Sequence, residues 1–339
     1  MNVLYLCTYY HRAMIFFDSK EALKQYDCNV DVFNAVGKKE IIDDRYKNIM
    51  DDSVYHVKIF TKIDRFLYFF KQNKYMKSLL KNIDISKYNL FHSHSLFNGG
   101  YVAYKLKKKF GINYIISIRN TDMSIFLKIP FFKKIARKII KKADGVQFLS
   151  YTYKDKFLSK VYNNKEINSI DKKIIVVPNG IEKFWIDSKS TKRTNTTFST
   201  IRLLTVAKVN NNKNIKTVLK VVNKMNEMGY KVKYTVVGKV YSHKIKQLID
   251  QNEYAKHIEF MNQLSLINIY REHDIFVLPS IHETFGRVYL EAMSQGLPVI
   301  YSKGQGFDGW FDDGIIGYRV PPKDVTYIIQ TLEKVISNY

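Results

Sequence analysis

The 339 residues are long enough for two domains of ordinary size, and an apolar content of 46% allows each a core of its own. No apolar run approaches the ~20 residues that span a bilayer, and Cys7 and Cys28 form neither a C-x-x-C nor a metal pattern, which fits a reducing cytoplasm. The formal net charge of +24 points to anionic partners (nucleic acid, a membrane surface or phosphorylated substrates), although Lys and Asn are abundant throughout and part of the excess is ordinary surface.

The start, Met1-Asn2-Val3-Leu4-Tyr5-Leu6, lacks the basic opening of a signal peptide and reads as a first strand over 3–6. A helix over 19–26 and strands over 30–33 and Val54–Phe60 follow. A basic, aromatic helix is expected over 64–81. Then come strand 88–92, helix 99–110, strand 114–118, helix 131–142, strand 146–149, helix 154–160 and strand 174–177. Such alternation predicts a parallel sheet covered on both faces. Pro178-Asn179-Gly180 breaks it, and 186–200 is polar without an apolar period. A second alternation has strands near Leu203, Val236, Ile258, Ile275, Val299 and Tyr318, and a last helix over 325–336. The expected organisation is α/β: a Rossmann-like domain over 1–180, a linker over 181–200 and a second Rossmann-like domain over 201–339, with parallel sheets facing a central cleft.

The most informative stretch is 278–300, which reads as strand end, loop, helix and strand. The short apolar run before it suits a buried parallel strand. Gly286 opens a helix and Gly296 with Pro298 ends it. Glu283 therefore lies in the loop off the strand's C-terminal end, and Glu291 about two turns into the helix. Ligands of open α/β sheets bind at that edge. Phe285 and Gly286 offer N–H groups at a helix start, suited to a phosphate. Arg287 sits at the positive end of the helix dipole, a cost that an anion would relieve.

The two carboxylates with seven residues between them, inside His282-Glu283-Thr284-Phe285-Gly286-Arg287-Val288-Tyr289-Leu290-Glu291-Ala292-Met293, resemble the signature of glycosyltransferase family 4. The resemblance implies the GT-B fold and a retaining transfer from a nucleotide sugar. It extends to Val176-Val177-Pro178-Asn179-Gly180-Ile181, similar to the family's crossing between domains, and to Leu204-Thr205-Val206-Ala207-Lys208 with Asn212-Lys213-Asn214, similar to its phosphate loop. By that likeness Glu283, Lys208 and Lys213 are the candidate catalytic residues. Glu283 would face the donor sugar, and the two lysines its pyrophosphate. Lys208 stands where the family usually has Arg, so a point charge replaces a forked one. Thr284, Phe285, Gly286, Arg287 and Glu291 would complete donor binding, Glu291 at the ribose, and Gly238, Met261 and Leu264 would flank the base. Asn262 replaces a usual Gly beside them.

On the first domain, His92-Ser93-His94-Ser95-Leu96-Phe97-Asn98-Gly99-Gly100 and Ile118-Arg119-Asn120-Thr121-Asp122 resemble acceptor-side loops, making His94, Arg119 and Asp122 candidate acceptor contacts. Many relatives carry His where Arg119 stands, which leaves the general base unassigned. The loop after the first strand, Thr8-Tyr9-Tyr10-His11-Arg12-Ala13, lacks the paired glycines common in the family. His92 and His94 have no third ligand nearby, and no Asp-x-Asp occurs, so neither a metal nor another cofactor is expected. The chain stops at Tyr339, where relatives continue with a segment crossing back to the first domain.

The expected partners are a UDP- or GDP-sugar and a glycan or lipid-linked acceptor, in polysaccharide or surface-glycan synthesis. An epimerase or hydrolase of sugar nucleotides would share the diphosphate site but need no acceptor. Nucleic acid is not expected, because no nucleic-acid motif accompanies the charge. The segment 131–142 has Phe132, Ile135, Ala136, Ile139 and Ile140 on one stripe and cations elsewhere. Docked by its stripe, it would turn its cations to an anionic leaflet, with 66–71 adding apolar contact. The expected location is cytoplasmic, with peripheral binding to the inner face of the plasma membrane.

Overall fold

The structure, a computed structural model, describes residues 1–42, 44–190 and 199–338. The chain divides into two compact units, Met1–Leu149 with Tyr153–Pro178, and Ser150–Thr152 with Asn179–Tyr339.

The first unit contains β1 (Asn2–Leu6), β2 (Asn29–Gly37), β3 (Val54–Phe60), β4 (Leu90–Ser93), β5 (Asn113–Ser117), β6 (Gly145–Phe148) and β7 (Ile174–Val176). They form one sheet in the order β3-β2-β1-β4-β5-β6-β7, and every pairing is parallel. Order reverses between β1 and β4, so their C-terminal ends are where a crevice opens in such a sheet. Its helices are α1 (Met14–Lys24), α2 (Tyr68–Asn82), α3 (Gly100–Phe110), α4 (Asn120–Ser124), α5 (Pro130–Lys142), α6 (Tyr151–Val161) and α7 (Asn164–Ile170).

Helix α5 buries Phe132, Ile135, Ala136, Ile139 and Ile140 and leaves Lys134, Arg137, Lys138, Lys141 and Lys142 exposed, as its stripe predicts. The helix expected over 64–81 is interrupted. A short turn at Ile63–Arg65 is followed by Leu67 at φ −107° and ψ 73°, and α2 begins at Tyr68. Helix α1 starts earlier than expected and stops before Asp27, whose φ is 53°. Helix α7 escaped the periodicity reading because it is short. Its signal was a capping box: Asn163 accepts from the Glu166 N–H, and Glu166 accepts from the Asn163 N–H.

The second unit contains β8 (Ile201–Val206), β9 (Val232–Val237), β10 (Ala255–Ile258), β11 (Ile275–Leu278), β12 (Val299–Ser302) and β13 (Gly317–Val320). The sheet order is β10-β9-β8-β11-β12-β13, again all parallel. Here order reverses between β8 and β11. The helices are α8 (Lys183–Asp187), α9 (Ile215–Glu227), α10 (His243–Asp250), α11 (Gln263–Arg271), α12 (Arg287–Ser294) and α13 (Val325–Asn338). A core of Leu203, Val218, Val222, Tyr234, Ile275, Val277, Ile300 and Leu332 lies under them.

Of the segment expected as a linker, residues 191–198 lie outside the described residues. The part before them is packed on the second unit. Trp185 of α8 is buried, edge-on to Tyr270 at 5.5 Å. Ser190 N–H donates to the Ser294 carbonyl at 2.9 Å, and Arg271 donates to the Ser188 carbonyl at 2.7 Å. A single tryptophan in a polar run carries no period, so composition alone hides this contact. Among the described residues no helix is long and apolar enough to cross a membrane.

Candidate functional site

In the second unit, the loops after β8 and β11 meet at the switch point. Asn214 adopts φ 56° and its amide donates to the Pro279 carbonyl at 3.0 Å. The Asn212 amide donates to the His282 carbonyl at 2.9 Å and its oxygen accepts the His282 N–H at 3.0 Å. Asn tolerates left-handed backbone and carries both a donor and an acceptor, which is why it can lace two loops. This lacing brings Lys213 Nζ to 2.6 Å from Glu283 Oε2, with both side chains partly exposed. The Glu283 backbone is fixed from the other side: its N–H donates to Gln305 Oε1 at 3.1 Å, and its carbonyl accepts the Gly306 N–H at 2.8 Å.

Gly286 forms the N-cap of α12 at φ 87°. A Cβ there would lie 2.4 Å from the Tyr289 ring, so the turn admits no side chain. Glu291 is the fifth residue of α12, little more than one turn in rather than two. It is largely buried, with Tyr270 donating to Oε2 at 3.4 Å. Burial pushes its carboxyl up to about 7, against the pull of Arg287. The anion that relieves Arg287 is supplied by the chain: Glu182 Oε1 lies 3.1 Å from Nη2. Phe285 turns its ring inward, to Phe307 at 5.7 Å, and leaves only backbone for a ligand, while Thr284 stays partly exposed.

Lys208 is exposed on the loop after β8, its Nζ 5.4 Å from the Tyr241 ring centroid. Gly238 ends β9 at φ 144°, and a Cβ would strike the Ala207 carbonyl at 2.1 Å. Met261, in the connection from β10, is half-buried, and Leu264, in the first turn of α11, is 70% exposed. All these residues follow C-terminal strand ends of one sheet. Glu182 and Gln305 were not anticipated; each is far in sequence from its partner, and no motif marks it.

The acceptor-side candidates of the first unit cluster at the β1/β4 switch point, but their chemistry differs from the expectation. Asp122 is fully buried and points into the protein. Its carboxylate accepts Ser95 Oγ at 2.9 Å and the N–H groups of Leu96, Phe97 and Arg119 at 3.1, 3.2 and 2.9 Å. It holds the 94–98 loop and is not available as an acceptor contact. His94 stacks on His92 with centroids 4.1 Å apart and accepts from Arg119 Nη2 on Nδ1 at 3.3 Å. That bond keeps its proton on Nε2, which finds no partner among the described residues. Burial, then His92 and Arg119, hold His94 well below the usual histidine range, so it stays neutral. His92 is pushed down to about 3, chiefly by burial, and lies 2.8 Å from Ser117 Oγ. Among the described residues no three His, Cys, Asp or Glu gather as metal ligands.

Residues 17–183 match the family described as Glycosyltransferase Family 4, and residues 188–339 that described as Glycosyl transferases group 1. An uncharacterized glycosyltransferase of Methanocaldococcus jannaschii is 25% identical over 304 residues, 87% of this chain and 77% of that protein. Sucrose-phosphate synthase from Thermosynechococcus elongatus is similar in structure, with a TM-score of 0.73 at 17% identity over 100% of this chain and 90% of that one. Anabaena HepE in complex with UDP and glucose gives 0.69 at 14% identity, over 100% and 90% of the two chains. With its two parallel-sheet Rossmann-like domains, the chain belongs to glycosyltransferase family 4 and has the GT-B fold.

Proposed function

We propose that the β8/β11 edge of the second domain binds the diphosphate of a nucleotide sugar and that the enzyme transfers the sugar with retention. The observation that carries this reading is the Lys213–Glu283 pair at 2.6 Å at the switch point, with Glu291 just beyond on α12. The pair holds a cation and a sugar-facing carboxylate ready, each neutralising the other until a diphosphate takes the lysine. Lys213 and Lys208, with the N-terminus of α12, then stabilise the departing nucleoside diphosphate. The acceptor hydroxyl attacks from the face the diphosphate leaves, and its proton passes to a leaving phosphate oxygen. Glu291 accepts ribose hydroxyls, while Thr284, Gly286 and Arg287 line the phosphate side and Gly238, Met261 and Leu264 the base. Because the chain has no Asp-x-Asp, charge neutralisation falls to these side chains and not to a divalent metal.

UDP is the preferred nucleotide among the candidates, in keeping with the UDP complexes of HepE, a protein of the same fold. The acceptor is read as a glycan or lipid-linked glycan in polysaccharide or surface-glycan synthesis. The exposed cations of α5 support an anionic membrane surface as partner, at ~1 kcal/mol for each cation near the leaflet. A panel of UDP-, GDP- and ADP-sugars, followed by melting temperature and turnover in EDTA, tests the reading. Stabilisation by one nucleotide class and turnover that survives EDTA are expected. Activity lost in EDTA and restored by Mg²⁺ would refute the metal-free part.

A further inference from the structure

A cavity of about 570 Å³ lies wholly within the first unit, at the C-terminal ends of β1, β2 and β3. Arg12, Lys38, Lys39, Lys62 and Lys71 line it, opposed by Glu40 and Asp64. Both carboxylates are already matched. Glu40 takes Arg12 Nε at 2.9 Å and His11 Nε2 at 3.0 Å. Asp64 takes Lys74 Nζ at 3.1 Å. Lys71 is held at 3.0 Å from Asn98 Oδ1, its Nζ 4.9 Å from the Phe60 ring centroid. Lys38, Lys39 and Lys62 are exposed and, among the described residues, meet no carboxylate. The cavity therefore carries a surplus of positive charge and calls for an anion of more than one charge.

The apolar surface beside it is equally unusual. Ile63 is 68%, Phe66 87% and Phe70 59% exposed, all within the segment whose lysines line the cavity. The Phe70 ring centroid lies 5.9 Å from the Nζ of Lys74, the same lysine that pairs with Asp64 in the cavity wall. The exposed rings continue through Phe69 to Phe131 at the start of α5, with centroids 6.0 Å apart. Large apolar side chains grouped in this way mark an interaction surface. A cation-lined cavity with an aromatic rim matches a molecule with an anionic head and an apolar tail.

We propose that this cavity and rim seat an anionic amphiphile, a phosphate-headed lipid that serves as the acceptor or carries it. Phosphate oxygens meet Lys39 and Lys62, and the tail runs over Phe66 and Phe70 toward the leaflet. The inference rests on the acceptor reading above, but its test needs neither sugar donor nor transfer, so either reading can fail alone. The full chain is sedimented with phosphatidylcholine vesicles carrying or lacking phosphatidic acid, and is separately titrated with inorganic phosphate. Capture is expected only with phosphatidic acid. It should fall about tenfold or more both in Lys39→Glu with Lys62→Glu and in Phe66→Ser with Phe70→Ser, at unchanged melting temperature, each surface lysine near a leaflet and each buried ring contributing on that scale. Three results would overturn the proposal: no capture, capture that both double variants retain while Lys138→Glu with Lys141→Glu abolishes it, or phosphate binding that leaves the Phe variants at wild-type capture, which indicates a soluble anion.

Discussion

The two switch points have the same strand logic and opposite treatment of charge. At the β8/β11 edge, Lys213 and Glu283 are partly exposed and bonded to each other at 2.6 Å. At the β1/β4 edge, Asp122 is sealed under four donors and His94 is buried and neutral. A pair at the surface can exchange its partner for a ligand at little cost, because water already shares its charge. A sealed carboxylate cannot, because removing any donor leaves a buried polar group unmatched. The β8/β11 edge thus keeps a charged pair within reach of solvent, and the β1/β4 edge commits its carboxylate to the shape of a loop.

Substitutions can break this contrast. Asp122→Ala should give the largest effect, and on stability. Three backbone N–H groups and one hydroxyl lose their acceptor. At about 1–3 kcal/mol for each of these four unsatisfied buried groups, unfolding of the first domain should become easier by roughly 4 kcal/mol or more. A denaturant titration reports it; a loss below about 1 kcal/mol would show that the loop holds itself.

Lys213→Ala should do the reverse, leaving the fold nearly intact and lowering transfer rate by ~10²-fold or more, since developing diphosphate charge loses its cation. Steady-state turnover and a melting curve on the same preparation separate the two outcomes. Glu283→Gln comes next, with a loss of ~10-fold in turnover and little change in nucleotide affinity, because a carboxylate facing the sugar works mainly once charge develops there.

The smallest effect sharpens the contrast through pH. The Glu291 carboxyl, raised to about 7 by burial, is ionised above that pH in the folded chain. Nucleotide affinity should therefore rise several-fold between pH 6 and 8, as the charged acceptor for ribose hydroxyls appears. The same shift acts on stability with the opposite sign. The folded state holds a proton that the unfolded state releases near its ordinary pKa, so this contribution is complete below that value and lost as pH rises through about 7. Affinity measured by calorimetry at each pH checks the first, and a flat profile would remove Glu291 from the binding step.

Much of this was legible in the residues, for physical reasons that also mark the limit. Apolar runs at strand spacing and the Gly286–Gly296 punctuation of α12 are local signals, and local signals located every strand. The resemblance singles out Glu283 and Lys213 but not their bond, which depends on Asn212 and Asn214 lacing two loops that are far apart in sequence. Asp122 misled because an acidic residue after a strand looks the same in sequence whether it faces water or three amides. Glu182 as the partner of Arg287, and Trp185 under the supposed linker, are tertiary facts with no periodic trace.

In the proposed function, one edge of the second domain holds a nucleotide-sugar donor through paired, partly accessible side chains. Calorimetric titration of the nucleotide sugar identified by the panel into wild type and Glu291→Gln, in EDTA at pH 8, tests it most directly. One site per chain is predicted in the wild type, with affinity weaker by about 1.5–3 kcal/mol in the variant, as a ribose hydroxyl loses a charged acceptor. Equal affinity in the two proteins, or no binding of any nucleotide sugar by the wild type, would contradict it.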